Sequence, residues 1–288
     1  MIAFLAFALQ AAPATAAPLS PTEIVQRAPD AAWADIPADE LVVMTLGNGR
    51  RVVIQLAPAA APVHVANIRV LAAANWWDGT SVNRVQDNYV TQWGDPTEAK
   101  PLPAAVTARP PAEYDRPAAG LAFTPLAGRD AYATAAGWSQ GWPVAIAAGR
   151  ASLVHCYAMV GVGRGMAPDT GTGAELYTVI GHAPRHLDRN IALVGRVIEG
   201  IDALAALPRG TETLGFYRTA AERVPIATVR LATSLPAAAR PRYQVMRTDG
   251  AEFARYVHAR ANRQDPFFGR PAGAVDICNA PVPVRPHP

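Results

Sequence analysis

The sequence predicts a mainly β protein built around a closed antiparallel barrel. Many short apolar runs are rich in β-branched residues, two of them flank a Gly-Asn-Gly turn, and only two short helical patterns fall within residues 41–231. The strands follow one another without a helix between each pair, which is not the pattern of βαβ units. Antiparallel strands closed into a barrel fit this order better than a parallel sheet.

The first predicted element is a β-hairpin. Leu41–Leu46 and Arg51–Leu56 are strand-like runs on either side of Gly47-Asn48-Gly49. Glycine and asparagine accept the positive φ angles of tight turns, so this arrangement predicts two paired antiparallel strands.

A helix is predicted next, over residues 61–71. Pro62 stands near its start, where the missing N–H of proline costs nothing, and apolar residues recur at helical spacing. The pattern ends around Asn75, before a turn.

Residues 96–150 form the longest stretch without a clear pattern. Proline, glycine and alanine interrupt every apolar run in it. This composition predicts a loop-rich insertion that makes excursions from the barrel and is not a separate domain.

Strands resume after the insertion. They are predicted at 153–159, 175–180 and 191–197, and a short helix at 200–207 follows them. Val224–Leu231 alternates as a last strand, in which Pro225 favours an edge or the beginning of the strand.

The composition changes after Pro236, and residues 234–288 are predicted to be a C-terminal extension with one helix. Asp249 is the expected N-cap, Glu252 follows three residues later, and Phe253 and Tyr256 begin an apolar stripe that Val257 completes. We expect this helix to dock on the barrel domain, which we place at residues 38–233.

The N-terminal residues are similar to an export signal. Residues 2–9 are apolar and Ala14-Thr15-Ala16 has the small side chains of a cleavage site, so we predict a signal peptide at 1–17 and a Pro/Ala-rich lead at 18–37. No Lys or Arg precedes the apolar run, which is also too short to span a bilayer. We expect a periplasmic or secreted protein without stable membrane insertion.

Composition excludes two further classes of protein. Half of the residues are hydrophobic and 17% are charged, which argues against a disordered chain. The net charge of +3 is spread along the sequence without a long basic run, so no nucleic-acid partner is expected. Cys156 and Cys278 are the two cysteines, and the sequence allows either a disulfide between them or a buried thiol at Cys156.

A series of motifs between residues 41 and 231 resembles the signature of the cyclophilins, a family of peptidyl-prolyl cis/trans isomerases. That signature has a helix, an aromatic-Asp-Gly turn, a Phe-His-Arg-Val strand and a Gln-Gly-Gly-Asp turn. The corresponding segments here are Trp76-Trp77-Asp78-Gly79, Val82-Asn83-Arg84-Val85, Gln92-Trp93-Gly94-Asp95, and further on Pro168-Asp169 and Glu175-Leu176-Tyr177. The resemblance implies an eight-stranded β-barrel capped by two helices and the isomerisation of X-Pro bonds.

The resemblance also implies roles for single residues. Arg84 matches the catalytic arginine of the family, which stabilises the twisted amide. The residues that would bind substrate are Gln92, Tyr89, Val90, Gly161, Glu175, Tyr177 and Leu187. Proline-containing polypeptides are the implied substrates, no cofactor or metal is needed, and we expect a monomer.

Several positions depart from the family pattern. Asn83 replaces the histidine before the arginine, Gly161 falls where the family often has asparagine or arginine, and Ile191 replaces a pocket histidine. Glu175 stands where the family has glutamine. They leave open a second hypothesis, in which the chain is a cyclophilin-like peptide-binding module or envelope chaperone with little turnover.

Other motifs compete weakly with this interpretation. Gly137-Trp138-Ser139-Gln140-Gly141 has the form of a hydrolase nucleophile elbow, but we expect neither the buried strand before Ser139 nor the helix after it. Gly161-Val162-Gly163-Arg164-Gly165 is not followed by the helix of a dinucleotide site. His182 and His186 flank Pro184 and are interpreted as loop residues and not as metal ligands.

Overall fold

The computed structural model describes residues 18–264 and 267–287. The predicted signal peptide at 1–17 lies outside the described residues. In the described part the helices are α1 (Pro21–Arg27), α2 (Pro62–Ala73), α3 (Ile201–Ala205) and α4 (Ala251–Ala261). The strands are β1 (Trp33–Asp35), β2 (Leu41–Leu46), β3 (Arg51–Leu56), β4 (Ser81–Val85), β5 (Val90–Gly94), β6 (Arg116–Pro117), β7 (Thr124–Pro125), β8 (Ala135–Ser139), β9 (Trp142–Ala147), β10 (Arg150–Leu153), β11 (Met159–Val162), β12 (Leu176–Val179), β13 (Leu193–Glu199), β14 (Val224–Leu231), β15 (Tyr243–Met246) and β16 (Val284–Pro286).

Eight of these strands close into an antiparallel barrel, as the sequence predicts. Their order around the barrel is β11-β12-β5-β4-β14-β2-β3-β13, and β13 pairs with β11 to complete the ring. Apolar side chains from every strand fill the interior, and α2 and α3 contribute Ile68 and Leu204 to the same core. Closure leaves the barrel without an unpaired edge.

The elements that the sequence predicts best lie at the start of the barrel. β2 and β3 have the predicted bounds, pair as the expected antiparallel hairpin, and turn through Gly49 at φ +81°. α2 begins at Pro62, and the backbone N–H groups of Val63 and His64 donate to the Glu113 carboxylate at 2.9 and 3.0 Å. A side chain of the insertion therefore caps a helix of the barrel.

The predicted strand at 153–159 is wrong, because two strands replace it. β10 ends at Leu153 and belongs to a second sheet, whereas β11 begins at Met159 and belongs to the barrel. His155 and Cys156 lie in the irregular segment between them. The His155 side chain enters a buried polar network and Cys156 forms a disulfide.

The insertion is more regular than its composition indicates. β6 to β10 form a five-stranded sheet in the order β6-β10-β9-β8-β7. β8 reads Ala-Ala-Gly-Trp-Ser, too weakly apolar to be recognised, yet Trp138 is buried and its ring meets that of Phe253 of α4 edge to face. Packing against the C-terminal extension thus stabilises strands with little intrinsic preference for that state.

The N-terminal and C-terminal segments of the described chain pair with each other in a third sheet and through two helices. β1 and β16 flank β15 in a three-stranded sheet, and α1 packs against α4. α1 carries a capping box formed by Ser20 and Glu23, whose spacing in the sequence is typical of a helix start. α4 confirms the helix predicted in the extension, but Gly250 is its N-cap and makes no side-chain cap bond, so the prediction for Asp249 is wrong.

A disulfide and a buried arginine are among the links that join the barrel to the rest of the chain. The disulfide Cys156–Cys278 connects the segment before β11 to the extension. Arg196 of β13 donates to the Gly141 carbonyl in the β8–β9 turn at 2.8 Å and lies 4.6 Å from the centre of the Trp142 ring. Burial lowers the pKa of Arg196 to about 10, and Gln55 accepts its remaining bonds. Within the described residues, no helix is long and apolar enough to cross a membrane.

Candidate active site

Four of the predicted site residues form one row across the barrel. Arg84 of β4 pairs with Gln92 of β5, Gln92 pairs with Tyr177 of β12, and Tyr177 pairs with Gly161 of β11. Paired residues in antiparallel strands have side chains on the same face. Because the alternating neighbours Trp93 and Leu176 point into the core, this row lies on the outer face of the barrel.

The Arg84 guanidinium is held by neutral groups on several sides. Its Nε donates to the Leu214 carbonyl at 2.7 Å, Nη1 donates to Gln92 Oε1 at 3.1 Å, and Nη2 donates to Gln86 Oε1. The rings of Tyr89 and Phe216 lie 5.5 and 5.4 Å from its central carbon. Burial lowers the pKa of Arg84 from its ordinary value, and Tyr89 acts in the opposite direction.

Beside Arg84 the predicted apolar residues come together in a small apolar cluster, which is the candidate proline pocket. Val90, Tyr177 and Val179 are buried and form one cluster, on which Tyr89, Leu187 and Ile191 pack. Val90 and Val179 are paired across β5 and β12, two positions along the strands from Gln92 and Tyr177. Tyr89, Val90, Tyr177 and Leu187 are therefore brought together as the resemblance implies.

A chain of buried polar side chains lies behind this pocket. The Tyr177 hydroxyl and His155 Nε2 are 2.9 Å apart, and His155 Nδ1 lies 2.8 Å from Asp188 Oδ1. Arg185 Nε donates to Asp188 Oδ2, and its two terminal nitrogens donate to both carboxylate oxygens of Asp130 at 2.9 and 3.0 Å. We name Tyr177, His155, Asp188, Arg185 and Asp130 the pocket-floor network.

The charged side chains of the pocket-floor network stabilise one another in their ionised forms. Desolvation lowers the pKa of Arg185, but its bonds to Asp130 and the field of Asp188 outweigh this, so the pKa is raised. Desolvation raises the pKa of Asp130, and the bonds from Arg185 and the Tyr132 backbone outweigh it, so that pKa is lowered. Burial raises the pKa of Tyr177 well above its usual value, which keeps the hydroxyl neutral.

The ring of Tyr177 leaves no room for a side chain at position 161, which the sequence did not indicate. A Cβ at this position would stand 2.3 Å from both the Cζ and the hydroxyl of Tyr177. The tyrosine ring therefore lies where a side chain of residue 161 would begin. A glycine at 161 and a tyrosine at 177 fit together as a pair.

Glu175 continues the site away from the pocket. Its Oε1 accepts a hydrogen bond from Gln92 Nε2 at 3.0 Å, so Gln92 links Arg84 to Glu175. Burial raises the pKa of Glu175 to about 7, with Glu98 and Asp95 raising it further and bonds from Gln92 and Asn83 acting against them. The carboxylate borders a groove of about 580 Å³ that Gln92, Asn83 and Phe216 also line.

The departures from the family pattern have definite places. Asn83 is buried, accepts a bond from the Ser81 hydroxyl at 2.7 Å and donates to the Gly94 carbonyl at 3.2 Å, so it ties β4 to β5. Ile191 packs on the pocket cluster. His186, interpreted from the sequence as a plain loop residue, stacks on Tyr89 with the ring centres 6.2 Å apart.

The sequence did not indicate several residues that build the site. Leu214, Phe216 and Gln86 surround Arg84, and His155, Arg185 and Asp130 support Tyr177. Their positions in the sequence are far apart and follow no local pattern. Within the pocket-floor network the sequence indicated Tyr177, and Leu187-Asp188 follows in the order of the family signature.

The competing motifs occupy other places. Ser139 ends β8, which is a buried strand against our expectation, but a tight turn and β9 follow it and no helix does. Its hydroxyl has no hydrogen-bond partner within the described part of the chain. β11 ends at Val162 and a loop continues from it, without the helix of a dinucleotide site. Among the described residues, no group of three or more His, Cys, Asp or Glu side chains could hold a metal ion.

Comparison with known proteins gives a family and a fold. The family model described as cyclophilin type peptidyl-prolyl cis-trans isomerase/CLD matches residues 41–231. The solved structure of cyclophilin AquaCyp293 from Hirschia baltica is 24% identical, with a TM-score of 0.68 over 88% of this chain and 92% of that one. A cyclophilin type isomerase of Cryptosporidium parvum is 12% identical over 66% of this chain and 98% of its own, with a TM-score of 0.42, and a second structure of it is 14% identical over 68% and 99%, with a TM-score of 0.43. The search of curated proteins found no match.

Proposed function

Because the chain belongs to the cyclophilin-type peptidyl-prolyl cis-trans isomerase family, we propose that it accelerates rotation about X-Pro bonds with Arg84 as its catalytic residue. The observation that carries this proposal is the position of Arg84. Its guanidinium is fixed by three hydrogen bonds beside an apolar cluster of suitable composition to receive a proline ring.

The chemistry asks little of a catalyst beyond a well-placed donor. Amide resonance opposes rotation with a barrier of about 20 kcal/mol, so the uncatalysed exchange takes tens of seconds or longer. As the bond twists, the prolyl nitrogen loses resonance and gains a lone pair that can accept a hydrogen bond. A guanidinium N–H directed at that nitrogen stabilises the twisted state more than either planar state.

The neighbours of Arg84 prepare it for this role. Gln92, Gln86 and the Leu214 carbonyl accept its hydrogen bonds without carrying a charge. A carboxylate in their place would neutralise the cation and weaken its attraction for the lone pair. Partial burial also strengthens the interaction, because the guanidinium is less screened than in water.

The pocket anchors the proline while the bond rotates. A proline ring offers apolar surface and no donor, so burial against Val90, Leu187 and the Tyr177 ring supplies its binding energy. Gln92 donates one amide hydrogen to Glu175. Its second amide hydrogen can hold a substrate carbonyl near the rotating bond.

Isomerisation of a short Ala-Pro peptide tests this proposal. We expect rapid exchange with the native protein, a loss of about a hundredfold or more in kcat/KM for Arg84→Ala, and little recovery with Arg84→Lys, which cannot make the same forked contacts. Arg27→Ala, an exposed arginine of α1, is the matched control. A folded native protein that does not accelerate exchange would contradict the proposal.

A peptide-binding module with little turnover is the second candidate. The favouring observation is Tyr177, which stands where the family has a phenylalanine. Its ring and hydroxyl occupy the space that a side chain at position 161 would take, so the pocket differs in shape from the family pattern. In that case calorimetry would detect binding of the Ala-Pro peptide, while exchange would remain at the uncatalysed rate.

We propose further that the protein acts on exported polypeptides as a periplasmic or secreted monomer. The signal-like residues 1–17 and the disulfide Cys156–Cys278 support export, because disulfides persist in oxidising compartments. Cell fractionation with thiol alkylation tests the compartment, and light scattering tests the monomer. Recovery in the cytoplasm with two free thiols would contradict export.

A further inference from the structure

The Glu175 carboxylate borders the groove that Gln92, Asn83 and Phe216 also line. Its Oε2 would be 1.8 Å from a Cβ built on Gly94, and its Cγ would be 2.6 Å from one built on Gly163. Residue 94 follows Gln92 by two positions on β5, so it shares the outward face of the Arg84 row. The carboxylate therefore occupies the outward space that a side chain at 94 would take.

The cationic side chains that line this groove do not pair with Glu175. Among the described residues, no Lys or Arg forms an ion pair with Glu175, and the charges that act most on it are those of Glu98 and Asp95. Lys100 donates to the Asp78 carbonyl, and Arg164 donates to the Asn190 carbonyl. The charged groups that face the groove are Asp95, Glu98, Lys100, Arg164, Asp169, Glu175 and Arg223, with Arg84 beyond Gln92.

A bound peptide would extend from the pocket towards Glu175. Glu175 precedes Tyr177 by two residues in an extended segment, so the two residues are separated by about 6.7 Å along the chain. Arg84 addresses the prolyl nitrogen, so the residues that precede the proline leave the pocket over Arg84 and Gln92. Two residues of extended chain cover about the same 6.7 Å, which brings the second residue before the proline beside Glu175.

We propose that Glu175 makes this groove select peptides with lysine or arginine two residues before the proline. The inference rests on the proposed isomerase function for its substrate, but it concerns a separate interaction. A desolvated carboxylate without a cation partner gains more from a substrate ammonium or guanidinium than a solvated one does. Glutamine, the family residue at this position, would have no such preference.

The preference depends on pH with a defined sign. Glu175 is ionised above its raised pKa of about 7 and protonated below it. The selection is therefore expected at pH 8 and fades towards pH 6. Asp95 has its pKa lowered, since bonds from the backbone of Lys100 and Thr97 outweigh desolvation, so it stays ionised across this window and does not reproduce the change.

Acetylated peptides of the form Xaa-Ala-Pro-Phe test the inference, with Lys, Gln or Glu at Xaa. Affinities are measured by calorimetry and kcat/KM by NMR exchange, which avoids the preferences of a coupling protease. At pH 8 and low salt we expect the Lys peptide to exceed the Glu peptide by roughly fivefold to tenfold, as for one partly screened charge pair. Glu175→Gln is expected to bring the ratio close to one.

Matched controls separate the causes. Glu98→Gln removes a nearby charge without touching Gln92 and is expected to lower the ratio only in part. A peptide with Lys after the proline is expected to show no preference. The native protein at pH 6 should behave as Glu175→Gln does at pH 8, which provides a test without a substitution.

The outcomes distinguish the two claims. No exchange of the Gln peptide would sink the isomerase function, yet the affinity ratio would still decide the role of Glu175. Exchange of all three peptides with equal affinity and equal kcat/KM at pH 8 would overturn the inference and leave the isomerase function intact. A ratio that persists in Glu175→Gln would also overturn it.

Discussion

The two halves of the residue row across the barrel are built in opposite ways. At one end Arg84 is partly exposed and all of its hydrogen bonds go to neutral oxygens. At the other end Tyr177 is supported by the pocket-floor network, in which Arg185 is paired with two carboxylates away from water. The cation that we propose to act on the substrate therefore has no charged partner, whereas the charge of Arg185, which supports the pocket, is compensated by carboxylates.

This difference teaches where charge is expected to matter. Neutral partners hold Arg84 without cancelling its charge, so its removal should reduce catalysis and change stability little. The charges of the pocket-floor network compensate one another, so removal of one leaves another buried and unpaired. Substitutions in the two regions should therefore differ in their effect on the free energy of unfolding.

Arg185→Ala should destabilise the protein most. The substitution leaves Asp130 and Asp188 buried without their shared cation, which typically costs about 3–5 kcal/mol. Urea unfolding of Arg185→Ala and Arg84→Ala, followed by circular dichroism, makes the comparison. The contrast would fail if Arg84→Ala cost as much free energy of unfolding as Arg185→Ala.

Removal of the disulfide should have the next largest effect. Cys156 and Cys278 are 122 residues apart in sequence, and release of so long a loop in the unfolded state costs roughly 2–5 kcal/mol. Cys156→Ala with Cys278→Ala is compared with the native protein under oxidising and reducing conditions. The native protein under reducing conditions should approach the double variant. A double variant as stable as the oxidised protein would show that packing of the extension suffices.

Glu175→Gln should stabilise the protein at high pH only. The folded-state pKa of about 7 lies above the ordinary value of 4.5, so the folded state binds the proton more tightly than the unfolded state. The native protein therefore loses stability as pH rises from 4.5 to 7, and the glutamine variant does not. Thermal unfolding at pH 8 should favour the variant by about 1–3 kcal/mol, with no difference near pH 4. An equal difference at both pH values would contradict the raised pKa.

Tyr177→Phe should have the smallest effect of the four. It leaves His155 Nε2 buried without the hydroxyl, at a cost of about 1–2 kcal/mol. If the network only supports the pocket wall, KM for the Ala-Pro peptide should change more than kcat. Tyr89→Phe, at the pocket rim, is the matched control. A fall in kcat alone would place the Tyr177 hydroxyl closer to the chemistry than the structure does.

Local patterns and family order made much of the barrel predictable. The hairpin of β2 and β3 follows from its turn and its β-branched runs, and α2 from Pro62 and helical spacing. Arg84, Gln92, Tyr177 and Gly161 were indicated by the order of motifs, and strand pairing places them side by side. These features depend on residues close together in sequence or on a matched signature.

The parts that were not predicted depend on contacts between distant segments. β8 and β9 gain their stability from Phe253 and other residues of the extension, which no local preference reveals. Asp130, His155 and Arg185 meet only after the insertion folds back on the barrel. The raised pKa of Glu175 arises from burial between Gly94 and Gly163, and a sequence contains no measure of that burial.

The insertion has a practical consequence for anyone who wishes to trim this protein. Glu113 satisfies two backbone donors at the start of α2, and Asp130 supplies one of the two carboxylates that hold Arg185. Excision of residues 96–150 would therefore leave the first N–H groups of α2 without an acceptor and remove one of the two carboxylates that pair with the buried Arg185. A minimal engineered version must keep these two carboxylates, by retaining the segment or by grafting acids that reach the same positions.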